Sequence, residues 1–119
     1  MRNLLLPLLA ILLFAACTTT ENAKKIAGHW HGASWTSNGQ PIGQDASSIS
    51  FSFNEDGTYS YVNAGERENG LYRVDADNVY TRPEGREEIM VKIARVTKDS
   101  LVFDMNRAGS AETLTLLRD

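Results

Sequence analysis

Hydrophobic and polar residues alternate most regularly between positions 49 and 61 of the 119-residue chain. From Ile49 to Phe53, large apolar residues alternate with serines, and Tyr59 and Tyr61 continue the same period after a short interruption. A period of two places the apolar side chains on one face of a pleated strand and the hydroxyls on the other. The interruption contains an Asp-Gly pair, a favoured hairpin turn because glycine adopts positive φ without steric cost. The pattern therefore predicts a β-hairpin with one aromatic face.

Six further segments show similar alternation, and short turns join most of them. Asn, Asp, Gly and Pro are concentrated between the segments, and no stretch has the spacing of an amphipathic helix of about ten or more residues. Because short turns make consecutive strands pair as antiparallel neighbours, we expect one antiparallel sheet. The six segments span residues 26–35, 66–74, 79–82, 89–94, 101–105 and 114–118. Together with the hairpin they predict an all-β fold of eight strands.

Eight sequential strands with one apolar face can be arranged in two ways. They close into an up-and-down barrel or split into two packed sheets. Closure removes both exposed sheet edges, so we expect the antiparallel up-and-down barrel. The sequence does not decide whether the barrel closes fully beside the fifth strand. The inward face of this strand is either that of Val79 and Thr81 or that of Tyr80.

The first residues have the pattern of an export signal. A positive start at Arg2 precedes an apolar run from Leu4 to Ala16, which is too short to cross a bilayer as a permanent helix. Small residues directly before Cys17 resemble the lipobox of bacterial lipoproteins, in which the cysteine becomes the lipidated first residue. We therefore predict that residues 1–16 are a lipoprotein signal peptide and that Cys17 is lipidated. The alternative is an ordinary secretory peptide cut near Ala16, which would leave a free thiol.

A polar segment without periodicity follows the cysteine. This composition predicts that residues 17–25 are a flexible tether between the lipid and a domain at residues 26–119. The lipoprotein resemblance implies several acyl chains and hence a firm membrane anchor. Thr18 stands in place of the aspartate associated with inner-membrane retention. We expect a location in the cell envelope, anchored in the outer membrane with the domain on the periplasmic face or at the cell surface.

Charge and cysteine content exclude several classes of function. Without Arg2 the mature chain has 11 basic and 15 acidic residues, and it has no basic cluster, which argues against nucleic acid as a partner. The single cysteine, Cys17, permits no intramolecular disulfide, so the exported domain must be held by its core. Its length is that of one small domain.

The first and last strands together resemble the lipocalin superfamily. Gly28-x-Trp30 on the first strand is similar to the superfamily's Gly-x-Trp signature, and Arg118 stands where a cationic residue of the final strand packs across the tryptophan. More closely, the chain resembles small bacterial lipoproteins with a lipocalin-like domain. The resemblance implies a cation–π pair between Trp30 and Arg118 that ties the first strand to the last where the barrel closes. It also implies a protein that is not an enzyme.

An aromatic set is expected to face the interior of this barrel. These side chains line a pocket for one small apolar or amphipathic ligand, or they simply fill the core. The candidate residues are Trp30, Phe51, Phe53, Tyr59, Tyr61, Tyr72 and Phe103.

Other chemistry-bearing residues give no stronger hypothesis. His29 and His31 share one strand face and could begin a zinc or copper site, but no third ligand is evident, so we predict a solvent-facing pair and no metal. Charged residues at 65–68 and 84–88 fall at turns, where they keep the barrel ends soluble. No nucleophile, phosphate-loop or zinc-protease motif is present, so we predict no enzyme activity and no cofactor.

Two functions follow from these predictions. The first is a lipid-anchored envelope protein, without catalytic activity, that holds a small apolar or amphipathic ligand in a shallow barrel. The second is an envelope interaction module with a filled core, such as an assembly subunit or an inhibitor of a secreted enzyme. Its expected contact element is the long loop from Ser37 to Gln44.

Overall fold

The computed structural model describes residues 19–43 and 45–119. The predicted signal peptide, residues 1–16, and the predicted lipidation site, Cys17, lie outside the described residues. Within the described ranges, no helix combines the length and the apolar character that crossing a membrane requires.

Antiparallel strands account for most of the described chain. They are β1 (Gly28–Ser37), β2 (Gln40–Pro41), β3 (Ile49–Phe53), β4 (Thr58–Asn63), β5 (Glu66–Asp75), β6 (Asn78–Pro83), β7 (Ile89–Val96), β8 (Ser100–Arg107) and β9 (Ser110–Arg118). Each strand from β3 to β8 pairs with the next along the chain, and β1 pairs with both β3 and β9. β2 is a two-residue addition to β1, so the closed barrel has eight strands. The predicted antiparallel up-and-down barrel is confirmed.

The fifth strand of the barrel, β6, pairs on both sides. It hydrogen-bonds to β5 and to β7, so no gap remains beside it. Val79 and Thr81 point into the barrel and are buried. Tyr80 lies on the outer face, where the Arg73 guanidinium carbon is 3.9 Å from its ring centroid. The inward face of the fifth strand is therefore that of Val79 and Thr81, whose side chains are smaller than that of Tyr80.

The two ends of the barrel differ in how they are covered. One end, here called the closed end, carries the β3–β4, β5–β6 and β7–β8 turns and a helix over residues 19–26. The other, here called the open end, carries β2, the β4–β5, β6–β7 and β8–β9 turns and a short 3-10 helix, Ala46–Ser48. The buried core extends from Ile26 at the closed end towards Trp35 at the open end.

In the described part of the predicted tether, residues 19–25, the chain is helical, and this helix extends to residue 26 and contacts the barrel. Thr19 and Asn22 contact the β5–β6 turn: the Ala76 amide donates to Thr19 Oγ1 at 2.9 Å, and Asn22 Nδ2 donates to the Ala76 carbonyl oxygen at 2.7 Å. Ile26 is fully buried. Positions 19, 22, 23 and 26 have helical spacing and are the less exposed side of the helix. The sequence did not predict this helix from hydrophobic spacing, because two of its contacts with the barrel are made by the polar side chains of Thr19 and Asn22.

Two bulges change the alternation of inward and outward residues. The β1–β9 register shifts between Gly32 and Ser34, and the β7–β8 register shifts between Ile93 and Arg95. A bulge inserts one unpaired residue, so side chains beyond it point to the opposite face from that expected by simple alternation. In β1 this brings Trp35 to the inside of the barrel.

Candidate ligand-binding site

A cavity of about 440 Å³ occupies the open half of the barrel. This volume is within the range typical of small-molecule sites. It is bordered by side chains from β1 and from β3 to β8, so it is the barrel interior rather than a surface groove. The lining residues are Trp35, Phe51, Phe53, Tyr59, Tyr61, Glu68, Val79, Thr81, Ile89, Met90, Val91, Phe103, Met105, Asn106 and Arg107.

Stacked aromatic rings form one wall of the cavity. The Phe51 ring lies parallel to that of Phe53, with centroids 5.4 Å apart, and its centroid is 4.7 Å from that of Tyr61. Phe103 meets Phe51 edge to face at 6.0 Å. Offset and edge-to-face contacts of this kind hold aromatic rings in fixed orientations. The wall is therefore a preformed apolar surface.

A tyrosine and a glutamate supply polar groups within the same cavity. The Tyr59 hydroxyl donates to Glu68 Oε2 at 2.8 Å, and Arg86 Nη1 lies 3.9 Å from Glu68 Oε1. Burial, followed by the Glu68 hydrogen bond and charge, raises the pKa of Tyr59 above its ordinary value. The Tyr59 hydroxyl is thus neutral at physiological pH and can donate its hydrogen bond to the Glu68 carboxylate.

Three side chains form a cluster at the mouth of the cavity. The Trp35 indole Nε1 donates to Glu112 Oε1 at 2.7 Å. The Arg107 guanidinium carbon lies 5.8 Å from the Trp35 ring, and its Nη1 is 3.8 Å from Glu112 Oε1. Glu112 is only 14% exposed, whereas Arg107 is 59% exposed. An aromatic ring, a cation and an anion thus meet where the cavity opens to solvent.

Apolar side chains are also exposed at this end. Ile89 and Met90 at the start of β7 line the cavity, and each is more than half exposed. Exposed large apolar residues at the edge of a cavity are typical of an entry for an apolar ligand or of a contact surface.

A larger depression of about 680 Å³ lies beside β4, β5 and β6. It is more open than the barrel cavity, and Arg82, Glu84 and Arg86 are among its lining residues. The smaller cavity is the better candidate for a ligand site because aromatic and aliphatic side chains enclose it.

Five of the seven candidate lining residues border the cavity: Phe51, Phe53, Tyr59, Tyr61 and Phe103. The other two, Trp30 and Tyr72, do not border this cavity and lie at the closed end. Trp30 is fully buried, and its Nε1 donates to the Ile26 carbonyl oxygen at 2.8 Å. The Tyr72 hydroxyl donates to the Asn54 carbonyl oxygen at 2.8 Å. The sequence pattern predicted that these side chains point inward, but it did not predict whether each lies near the closed end or the open end of the barrel.

Sequence reasoning missed the polar residues of the cavity and one tryptophan. Glu68 precedes Gly70 and Tyr72 on the inward face of β5, so period-two spacing could have identified it. Arg107 likewise follows Leu101, Phe103 and Met105 on β8. Trp35 could not have been found in this way, because the β1 bulge reverses its orientation.

At the closed end, the structure brings Trp30 and Arg118 together. The Arg118 guanidinium carbon lies 4.1 Å from the Trp30 ring centroid, and the two residues are paired between β1 and β9. Arg118 also donates to three backbone carbonyl oxygens, those of Lys25, Ala27 and Lys98, at 2.6 to 2.9 Å. Gly28 has φ +124°, and a Cβ there would come within 2.5 Å of Arg118 Nη1. The glycine of the Gly-x-Trp pattern therefore makes room for the arginine.

The two histidines are exposed on the outer face of β1. His29 Nδ1 is 2.7 Å from the Ser52 hydroxyl, and His31 Nδ1 is 2.6 Å from Asp119 Oδ1. Within residues 19–43 and 45–119, no group of three or more His, Cys, Asp or Glu side chains is placed to hold a metal ion.

The segment from Ser37 to Gln44 is a compact hairpin in its described part. Gln40 and Pro41 pair with Ser37 and Thr36 of β1, and the Asn38 amide donates to the Ala111 carbonyl oxygen at 2.8 Å. Gln44 lies outside the described residues. The segment is thus tied to both β1 and the start of β9.

The barrel fold agrees with comparisons to known proteins. A crystal structure of an uncharacterized protein from Bacteroides eggerthii is similar over 78% of this chain and 98% of that one, with a TM-score of 0.60 and 13% sequence identity. This likeness concerns the fold. No curated protein sequence matches the chain. The family model of the lipocalin-like domain matches residues 26–103, more than half of the chain, and such domains are generally those of non-enzymatic proteins that bind or carry small ligands. The chain therefore belongs to the lipocalin-like domain family.

Proposed function

We propose that this protein is a non-catalytic binding protein that holds one small apolar or amphipathic molecule in the open half of its barrel. The observation that carries the proposal is the cavity of about 440 Å³, whose wall is a preformed aromatic surface and whose mouth is polar. Apolar burial drives association in such a site, and a few polar groups orient the ligand.

The first test is native mass spectrometry of the protein purified gently from the envelope of its own host. A ligand enclosed by this cavity would add a mass of roughly a few hundred daltons that is lost on denaturation. A clean mass without ligand, with heavier species made only of protein, would favour the interaction module instead.

A cavity-filling variant tests the location of the site. Every described core residue lies between Ile26 and Leu116, so the chain from Thr18 onward contains the whole barrel and its helix. In this chain, Val91→Phe would occupy space inside the cavity and should abolish binding of the neutral dye N-phenylnaphthylamine. Val102 lies on the outer face of β8, and the matched variant Val102→Phe should bind the dye as the native chain does. Equal loss in both variants would contradict the location.

We further propose that the chain is anchored through a lipidated Cys17 in the outer membrane, after removal of residues 1–16. The small residues before Cys17 support lipidation, and the absence of an aspartate at position 18 supports the outer membrane. The docked helix bears on orientation, because it fixes Thr19 at the closed end. Thr19 is two residues after Cys17, so at most about 7 Å of chain separates the two residues. An anchor there holds the closed end at the membrane and directs the cavity mouth away from it.

Orientation at the membrane can be measured with two single labels. Asp77→Cys places a fluorophore at the closed end, and Ala108→Cys places one at the open end. Spin-labelled lipid headgroups should quench the label at position 77 far more than the label at position 108. Equal quenching would contradict the orientation, and a mature mass without acyl chains would contradict the anchor itself.

The interaction module is the second candidate. Exposure of Ile89 and Met90 at the cavity edge is the observation that favours it, because paired exposed apolar residues suit a protein contact. Replacing both with serine should then reduce recovery of envelope partners far more than it weakens dye binding. The opposite result would assign these residues to ligand entry.

A further inference from the structure

We propose that Arg107 anchors an anionic head group, so that the cavity selects amphipathic molecules with an acidic end over neutral ones of the same shape. This inference rests on the proposed ligand-binding function and adds the chemical class of the ligand. The apolar part of the ligand would lie against the aromatic wall and the acidic group would lie at the mouth.

The position of Arg107 in β8 is the first observation. The inward side of this strand is formed by Leu101, Phe103 and Met105, and Arg107 is the last residue in the same alternation. Its guanidinium lies over the Trp35 ring and borders the cavity.

The hydrogen-bonding capacity of Arg107 is the second observation. A guanidinium has five N–H donors arranged to meet a carboxylate or phosphate in a fork. Among the described residues, the charged partner of Arg107 is Glu112, at 3.8 Å, too far for a hydrogen bond. Glu112 instead accepts the Trp35 indole N–H at 2.7 Å. Glu112 therefore orients the cluster, and the guanidinium donors remain available to a ligand.

The other charge in the lining does not offer a comparable site for a cation. Glu68 already accepts a hydrogen bond from Tyr59 at 2.8 Å, and Arg86 lies 3.9 Å from its second oxygen. The Glu68 carboxylate thus has a hydrogen bond in addition to an ion pair, whereas Arg107, among the described residues, has an ion pair of similar length and no hydrogen bond. Arg107 is the more available charge for binding, so the favoured head group is a carboxylate, sulfonate or phosphate.

Dodecanoate and dodecanol provide a matched pair of probes, because they share one apolar chain and differ in the charge of the head group. Each displaces N-phenylnaphthylamine from the chain that begins at Thr18, and dye fluorescence gives the two affinities. We expect native protein to prefer dodecanoate by about tenfold, since one charge-assisted hydrogen bond accounts for at least that ratio. Arg107→Gln should remove the preference, chiefly by lowering the affinity for dodecanoate, while Arg107→Lys should retain part of it.

Arg67→Gln is the control for net charge, because Arg67 is an exposed cation beside the β4–β5 turn of the open end and does not line the cavity. It should keep the preference for dodecanoate. An equal loss in both glutamine variants would show that net charge, not Arg107, sets the preference, and would overturn the inference. Native protein that binds both probes equally would overturn it while leaving the proposed function intact. Failure to bind even the neutral dye would overturn both.

Discussion

Two tryptophans of β1 each lie beside an arginine, but at opposite ends of the barrel. At the closed end, Arg118 covers fully buried Trp30 at 4.1 Å. At the open end, Arg107 lies 5.8 Å from Trp35, whose ring borders the cavity. The same two residue types thus occur in a sealed core and in an open mouth.

The hydrogen bonds of the two pairs explain the difference. Trp30 donates to a backbone carbonyl, and Arg118 donates to three more, so the first pair ties the helix over residues 19–26 and the β7–β8 turn to the barrel. Trp35 donates to a carboxylate, and Arg107 makes only a long ion pair with that same group. Satisfied backbone groups make the closed end a structural element. Available side-chain donors suit the open end to the ligand binding that we propose.

Removing each tryptophan side chain should give the largest difference between the two ends. Trp30→Ala opens a void in a sealed core and should lower the free energy of unfolding by about 3–5 kcal/mol, measured by urea denaturation. Trp35→Ala should cost less, because its ring already borders the cavity and removal only enlarges existing space. Trp35→Ala should instead weaken binding of N-phenylnaphthylamine. Equal losses of stability in the two variants would contradict a division between a structural end and a binding end.

Replacing each arginine should separate the two ends by a smaller amount. Arg118→Gln removes a cation–π contact and charge-assisted hydrogen bonds to backbone carbonyls, so we expect a loss of about 2–3 kcal/mol in unfolding free energy. Arg107→Gln removes an exposed, long ion pair and should change that free energy by less than about 0.5 kcal/mol. Urea denaturation of both variants measures the comparison. A larger loss for Arg107→Gln would mean that the mouth cluster is structural.

Each end also has a tyrosine whose hydroxyl is hydrogen-bonded inside the fold. Tyr59→Phe leaves Glu68 without its donor, and Tyr72→Phe removes the bond to Asn54, so each should cost about 1 kcal/mol. The closed-end variant should leave dye binding unchanged, whereas the Tyr59 variant alters the cavity wall. A changed dye affinity in Tyr72→Phe alone would contradict the assignment of these residues to the two ends.

The same tyrosines should make the fold sensitive to alkaline pH. Burial raises the pKa of both Tyr59 and Tyr72 above the ordinary tyrosine value. Because the folded pKa is raised, their contribution to stability is complete below the unfolded pKa of about 10 and declines above it. Urea denaturation at increasing pH should therefore show stability falling above that value, and less steeply in each phenylalanine variant. An unchanged slope in Tyr59→Phe would show that its hydroxyl titrates normally.

The barrel could be predicted from sequence because the signal is repeated in every strand. Alternation from Ile49 to Phe53 and its continuation at Tyr59 mark one face without ambiguity, and short turns determine the neighbours. The pairing of Trp30 with Arg118 follows from the same topology, since closure must bring the first strand to the last.

The details of the site depend on features that alternation does not contain. The bulge near Ala33 reverses Trp35, and strand stagger places Tyr72 at the closed end although it shares a face with lining residues. The mouth cluster depends on contacts between side chains of three strands, including Glu112, which a single-strand pattern cannot reveal. The helix over residues 19–26 is short, and polar bonds to Ala76 contribute to its docking.

Weakening the contact between that helix and the barrel should change stability only slightly. It nevertheless tests directly whether the helix is part of the closed end. Asn22→Ala removes a hydrogen bond of 2.7 Å to the Ala76 carbonyl oxygen, worth about 1 kcal/mol, but alanine is the better helix former by roughly half that amount. We therefore expect a net loss of about 0.5 kcal/mol in unfolding free energy. Glu21→Ala is the matched control on the exposed side of the same helix, and there the gain in helix propensity is small and no docking bond is lost. If hydrogen exchange of the Ala76 amide accelerates in Asn22→Ala and not in Glu21→Ala, the helix is a fixed part of the closed end. Equal exchange in both variants would mean that Ile26 and Arg118 stabilise the closed end without the Asn22 contact. The residues before Ile26 could then move as a tether.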